Sequence, residues 1–291
     1  MQQIALISRE TGDYTWIRAH VEGLEKYFAY YKTYLHAPTG LYVWHDDIMI
    51  GMDNDPAIFG RPPESTASIH LNSFMVMELR AMEEILEKLG KDAEGYRRER
   101  EALTENIQSL LWDRRDRFYY SLDVDVYTRR YDWFHQGLGV FWKGLPIRVR
   151  VWSGFLPLLA GIATAEQAQA LRDTAMDRET FCSPHGIFTL ARNEPMFDQS
   201  ATSNPSNWLG PIWLVANYAV FKGLLDYGYL AEAGEIAEKS LVLLTDDILQ
   251  TGHMHEYYNA EDGSPVMNGG FINWNMLALT MQRELEEARG R

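Results

Sequence analysis

Apolar residues recur at spacings of three and four along nearly the whole chain, and that period commits it to helices. In the stretch 65–90, Leu71, Met75, Leu79, Met82, Leu86 and Leu89 fall on one face, and Gly90 follows as a stop. Ile236, Leu241, Leu244 and Ile248 repeat the pattern further on. The spacing predicts helices over 13–35, 65–90, 92–112, 151–162, 164–175, 210–228, 230–250 and 271–287. Pro211 suits the first turn of the sixth, where its missing N–H costs nothing. Several helices pair across short joints: 65–90 with 92–112, 151–162 with 164–175, 210–228 with 230–250. Longer loops lie between the pairs, at 36–64, 113–150, 176–209 and 251–270. FYYSLDVDVYTRRYDWF (118–134) alternates and predicts a short β-hairpin. No Pro/Gly/Ser linker divides the chain, so 1–291 reads as one domain. The expected fold is all-α, an α/α toroid of helical hairpins with minor β at 118–134, its long loops gathered at one mouth.

Charge and composition narrow the function. Against 27 Lys+Arg stand 41 Asp+Glu, a net charge of −14, and no basic run stands out. Nucleic acid is therefore excluded as a partner, and a neutral ligand suits the surface better than an anionic one. Cys182 is the single cysteine, so no intrachain disulfide forms; it reads as a small buried hydrophobe. The start, MQQIALISRETGDY, has neither the basic head nor the apolar core of a signal peptide, and no apolar run reaches membrane-spanning length. A cytoplasmic protein with no membrane partner is the expectation. Aromatic content is high, at 13%, with 9 Trp, 16 Tyr and 12 Phe. Trp44, Trp133, Trp142, Trp208, Trp213 and Trp274 lie beside polar residues in loop-like segments. Rings that stack on C–H faces, next to fixed polar groups, are what a sugar requires. A small carbohydrate is the expected partner.

Three loops carry the unusual residues. GMDNDP (51–56) sets Asp53, Asn54 and Asp55 between a glycine and Pro56. As a turn it needs no further explanation, because Asp and Asn bond their own backbone; as a site it presents a carboxylic acid on a loop. HMHEYYNAEDG (253–263) holds Glu256. HEYYN begins like the HExxH zinc helix, but Asn259 stands where the second histidine belongs, so that reading fails. His253 and His255 with Asp46 or Asp47 remain a metal-site alternative whose ligand set no spacing fixes. Alone, Glu256 reads as a solvated loop residue. SNPSNWLGPIW (203–213) places Asn207 and Trp208 before a glycine. They read as a helix cap and a core ring, or as a polar and an aromatic group facing a ligand. No GxSxG elbow or phosphate loop is present, and no cofactor or metal is expected.

Taken in order, GLYVWHDDIMIGMDNDPA, SNWLGPIW, HEYYNAEDGSPV and FINWN resemble the successive motifs of glycoside hydrolase family 63 over residues 41–280. GIFTLARNEPMFD (186–198) is similar to the segment preceding the second of them. The family comprises six-hairpin α/α-barrel enzymes, among them processing α-glucosidases and bacterial glucosylglycerate and mannosylglycerate hydrolases. The resemblance implies an inverting, exo-acting α-glycosidase for a small α-glucoside or α-mannoside. It makes Asp53 the general acid and Glu256 the general base, with Asp55 the rival for the acid. Trp44, Trp208 and Trp274 become the aromatic platform, Asn54, Asn207 and Tyr257 the polar partners, and Gly210 part of the same pocket motif. Two departures stand out. The family's YWRG becomes Asn207–Trp208–Leu209–Gly210, losing Tyr and Arg, and GMDNSP gains a charge at Asp55. The predicted helices also fall short of six hairpins, and the chain starts where the third would be. The expectation is a barrel lacking its first two hairpins, with a homodimer formed through the open edge. The alternative is a sugar-binding or assembly protein derived from such an enzyme, with impaired catalysis.

Overall fold

Side-chain caps at Ser68 and Thr164 set the starts of two of the helices that the periodicity predicts. The computed structural model describes residues 1–46, 48–127, 141–200 and 206–290. Its internal contacts define two units: Met1–Met49 with Gly60–Trp112 and Tyr120–Ile147, and Ile50–Phe59 with Asp113–Tyr119 and Arg148–Arg291.

In the first unit, α1 (Gln2–Thr11) precedes a 3-10 turn (Thr15–His20), α2 (Val21–Tyr34), β1 (Thr66–Ala67), α3 (Ile69–Lys88) and α4 (Glu94–Leu110). α1 was not expected: it buries only Ala5 and Ser8, too thin a stripe to read from periodicity. The helix expected over 13–35 divides at Val21 into the 3-10 turn and α2. α3 starts where Ser68 Oγ accepts the Leu71 N–H at 3.0 Å. Leu71, Met75, Leu79, Met82, Leu86 and Leu89 are buried as the pattern requires, and Gly90 follows with φ +70. Arg100 reaches from α4 to Glu83 on α3 at 2.6 Å. Short strands β2 (Trp112–Asp113) and β3 (Phe118–Tyr119) follow in the chain, then β4 (Ser121–Tyr127) and β5 (Phe141–Ile147). The sheet order is β1-β4-β5, antiparallel, with Thr66 opposite Asp123 and Ser121 opposite Ile147. The expected hairpin thus forms with its second strand beyond residue 134; residues 128–134 lie outside the described ones.

The second unit carries the three loops. Its helices are α5 (Leu156–Leu159), α6 (Ala165–Ala175), α7 (Leu214–Asp226), α8 (Leu230–Thr251) and α9 (Leu277–Arg289), with β6 (Tyr257–Tyr258) and β7 (Pro265–Met267). The stretch 151–162 delivers only a 3-10 turn and the single turn of α5. α6 opens on a reciprocal capping box between Thr164 and Gln167. α7 begins at Leu214, so Pro211 precedes the helix rather than entering its first turn; its carbonyl accepts from Thr189 Oγ1 at 2.9 Å. α8 buries Ala233, Ile236, Ala237, Ser240, Leu243, Leu244 and Asp247. The stripe is rotated from the expected one: Ile248 is 46% exposed, and the last buried position belongs to a carboxylate, Asp247. Gly252, in the left-handed region at φ +78, ends the helix and releases the 253–263 loop. Among the described residues, no helix is long and apolar enough to cross a membrane.

Candidate active site

The GMDNDP loop is a tight turn whose members face different ways. Asp53 is exposed, Asn54 half-buried and Asp55 buried, at 2% exposure. Asp55 Oδ1 accepts the Ala57 N–H at 2.8 Å, and its carbonyl accepts from Ile58 and Phe59. It therefore braces the loop from inside, as an Asx turn does. Burial pushes its carboxyl up to about 6, against the Ala57 N–H that favours the charged form. Asp53 is the carboxylate left on the outer side of the turn.

Asn54 ties this loop to the second one. Its Oδ1 accepts the Trp208 N–H at 2.6 Å, and its Nδ2 donates to Asn207 Oδ1 at 3.1 Å. Asn207 is fully buried; its Nδ2 donates to the carbonyls of Asp198 and Ser200, and its own carbonyl accepts from Trp213 Nε1 at 2.7 Å. Trp208 stacks on Trp213 at 4.0 Å, and Trp213 on Tyr257 at 4.7 Å. Gly210, at φ +135, is held where a Cβ would lie 2.5 Å from the Phe197 ring. Asn207 and Tyr257, expected as polar partners of a ligand, and Gly210, expected in the same pocket motif, are buried instead. Asn207 and Tyr257 are each 0% exposed, Gly210 is buried, and Asn207 spends its side chain on the loop itself. Trp208, at 5% exposure, is a stacked core ring; Leu209 between them is half-buried.

The third loop is bound to the second and to α8. Tyr258 and Ile212 exchange backbone hydrogen bonds at 2.8 and 3.1 Å. Burial raises the Tyr257 hydroxyl above its ordinary range, the Glu256 charge adds to the rise, and a hydrogen bond from the Asn207 backbone opposes it. Next along, His255 is held at three points. Its Nδ1 meets Asp247 Oδ2 at 2.8 Å, its N–H donates to the Tyr258 hydroxyl at 2.8 Å, and its carbonyl accepts from Asn275 Nδ2 at 2.7 Å. The Tyr258 hydroxyl and Thr251 Oγ1 also donate to Asp247, at 2.8 and 3.0 Å. The buried carboxylate that ends the α8 stripe is thus the anchor of the loop. Glu256 itself is half-buried: its N–H donates to the Met267 carbonyl at 2.9 Å, its carbonyl accepts from Trp274 Nε1 at 3.4 Å, and its Oε2 accepts from Asn268 Nδ2. Trp274 is half-buried, 5.7 Å from Trp213 and 4.6 Å from Phe271 by ring centroid.

One contiguous network in the second unit therefore runs from the neighbour of Asp53 to the neighbour of Glu256: Asn54, Asn207, Trp208, Trp213, Tyr257. Trp44 belongs to the first unit, where its Nε1 donates to Ser68 Oγ at 2.9 Å. Asp47 and Trp133 lie outside the described residues. His255 is engaged by Asp247, His253 is exposed, and no group of three possible metal ligands occurs among the described residues. Sequence reasoning missed Asp247 and Asn268, and named Trp213 only among the loop aromatics. Trp213 was visible as an aromatic beside the motif. Asp247 showed only as a charge at a position where helical spacing demands burial, three residues after Leu244. Asn268 had one faint signal, an asparagine before a glycine pair in VMNGG.

The known proteins that the chain resembles are glycoside hydrolases. The sequence profile of the mannosylglycerate hydrolase MGH1-like glycoside hydrolase domain matches residues 2–274. A probable mannosyl-oligosaccharide glucosidase of Schizosaccharomyces pombe is 25% identical over 296 residues, which is 95% of this chain and 33% of that protein. A mannosylglycerate hydrolase of Thermus thermophilus is 28% identical over 173 residues, 60% of this chain and 35% of that one. The chain thus spans about a third of the length of these curated relatives. Its fold is shared with a crystal structure of a family 63 mannosylglycerate hydrolase from Thermus thermophilus in complex with glucose, at TM-score 0.72 and 22% identity, over 96% of this chain and 72% of that one. The all-α fold with minor β expected from the sequence is the fold of that enzyme. The chain belongs to the MGH1-like glycoside hydrolase domain family, within glycoside hydrolase family 63.

Proposed function

We propose that the chain acts as an inverting, exo-acting glycosidase on a small α-glucoside or α-mannoside, with Asp53 as general acid and Glu256 as general base. The observation that carries this reading is the network just described. The residues adjoining the two carboxylates, Asn54 and Tyr257, are both fixed to the Asn207–Trp213 segment. Inversion needs two carboxyls held on opposite sides of one sugar, roughly 6.5–9.5 Å apart, with a water between base and anomeric carbon. Bonding both loops to one segment supports a constant separation between the two carboxyls. Asp53 protonates the leaving oxygen; Glu256 takes a proton from water as it attacks the opposite face.

The relatives' names, mannosylglycerate hydrolase and mannosyl-oligosaccharide glucosidase, support a glucosyl or mannosyl group as the part recognised. The decisive experiment incubates the chain with mannosylglycerate and a panel of α-glucosides and α-mannosides, reading the anomer first released by NMR. Release of the β-anomer is expected. Retention of the α-anomer would overturn the mechanism. Sugar binding without turnover would favour a catalytically impaired binding protein.

A further inference from the structure

Glu256 and Asn268 face each other at one end of the β6–β7 pair. Tyr257 faces Met267 in register, and the residue before one lies across from the residue after the other. Asn268 Nδ2 donates to Glu256 Oε2, the one side-chain hydrogen bond recorded for that carboxylate among the described residues. Asn268 reaches it from a left-handed backbone, φ +51, a conformation otherwise taken among non-glycine described residues by Glu64 and Arg117. The strap beyond it is fastened to the same loop. Gly270 and Phe271 both donate to the Met254 carbonyl at 2.9 Å, and a Cβ on Gly269 would stand 3.2 Å from His255 Nε2. These bonds hold the strap's backbone beside the loop, and the exposed Asn268 reaches Glu256 from it.

We propose that Asn268 is a positioning residue for the base. Its amide holds Oε2 of Glu256, which leaves Oε1 as the oxygen that takes the proton from the attacking water. The inference rests on the reading of Glu256 as general base. Its rival is that asparagine stands here only because it tolerates the left-handed turn. Glycine separates the two, since it accepts the same backbone and has no amide.

The test uses the full chain in two readouts. In ¹⁵N-edited NMR, the Asn268 side-chain amide pair is assigned by its loss in Asn268→Gly. Glu256→Ala should move those resonances by several tenths of a ppm in the proton dimension. With mannosylglycerate as substrate, Asn268→Gly should lower kcat about tenfold with KM nearly unchanged, as expected for loss of orientation at the reacting group. Asn268→Asp, which sets a second carboxylate against the first, should lower it further, and Asn268→Gly should cost nothing more in the Glu256→Ala background. An amide unmoved by Glu256→Ala, or a wild-type kcat in Asn268→Gly, overturns the proposal. A fully active Glu256→Ala overturns the base assignment and this inference with it. An inactive Glu256→Ala beside an unaffected Asn268→Gly overturns this inference alone.

Discussion

Asn54 closes a two-point clasp on Trp208 and its neighbour: its Oδ1 takes the Trp208 N–H at 2.6 Å while its Nδ2 gives to Asn207 Oδ1 at 3.1 Å. The clasp lies one residue from Asp53, the proposed acid. Asn54→Ala should lower kcat by about ten- to a hundredfold through misplacement of the acid. It should cost about 1–2 kcal/mol of stability, since both bonds are only partly buried. Steady-state kinetics and urea melts on one preparation check both. Intact kcat with lost stability would make the clasp merely structural.

Asp53→Asn and Glu256→Gln should each lower kcat by roughly 10²–10⁴, the usual contribution of a general acid or base. Asp55→Asn should do far less, because Asp55 is buried and its carboxylate is spent on Ala57. If Asp55→Asn is the inactive variant and Asp53→Asn is not, the acid has been assigned to the wrong residue.

The same burial gives Asp55 a signature in stability. Its carboxyl is pushed up to about 6 from 3.8. A raised acid binds its proton more readily folded than unfolded, so its ionisation costs stability above that range. The cost amounts to about 3 kcal/mol at pH 7.5 and falls by about 1 kcal/mol or more on going to pH 5. Asp55→Asn should therefore be more stable than the parent at pH 7.5, with the gap narrowing at pH 5. Urea midpoints at the two pH values decide; a gap independent of pH would rule this out.

Trp208 and Trp274 should separate under substitution. Trp208 is 5% exposed and stacked at 4.0 Å on Trp213, so Trp208→Ala should cost about 3–5 kcal/mol and lose folding and sugar binding together. Trp274 is half-buried, and Trp274→Ala should weaken binding more than stability. Calorimetric titration with glucose, alongside thermal melts, reads both effects.

Asp247, near the end of α8, anchors the loop that carries Glu256. Asp247→Ala would leave two donors, from His255 and Tyr258, without their acceptor, while the Thr251 hydroxyl keeps the backbone carbonyl of residue 247 at 2.9 Å. A loss of about 2–4 kcal/mol is expected, with faster hydrogen exchange at His255 and Tyr258. Wild-type exchange rates there would show that β6 and Asn275 suffice to hold the loop.

Periodicity foretold α3, α7 and α8, because each buries a long apolar stripe, and also α6 and α4, though α4 buries only Leu103 and Ile107. It could not foretell α1, which buries two small residues, or the shortness of α5, whose neighbourhood is apolar on every side. The motif-bearing loops were readable because their residues are chemically unusual. Which members face outward was not, since that depends on hydrogen bonds between loops far apart in sequence. Asn207 and Trp208 look like ligand contacts in one dimension; the Asn54 clasp and the Trp213 stack turn them inward. Asp247 was obscured by Ile248, the apolar residue beside it that helical spacing favoured.

The ring column also has an optical consequence. Trp208 and Trp213 lie 12° from parallel at 4.0 Å, Trp152 stands 6.2 Å from Trp208, and Tyr257 adds a fourth chromophore. Indoles this close share their excited states, so the column should give a split circular-dichroism band and strongly quenched, red-edge fluorescence. Both depend on ring separations that change as soon as the segment between the two carboxylates loosens. The protein thus carries a native spectroscopic gauge between its two motif loops, readable in any variant without a label or a substrate.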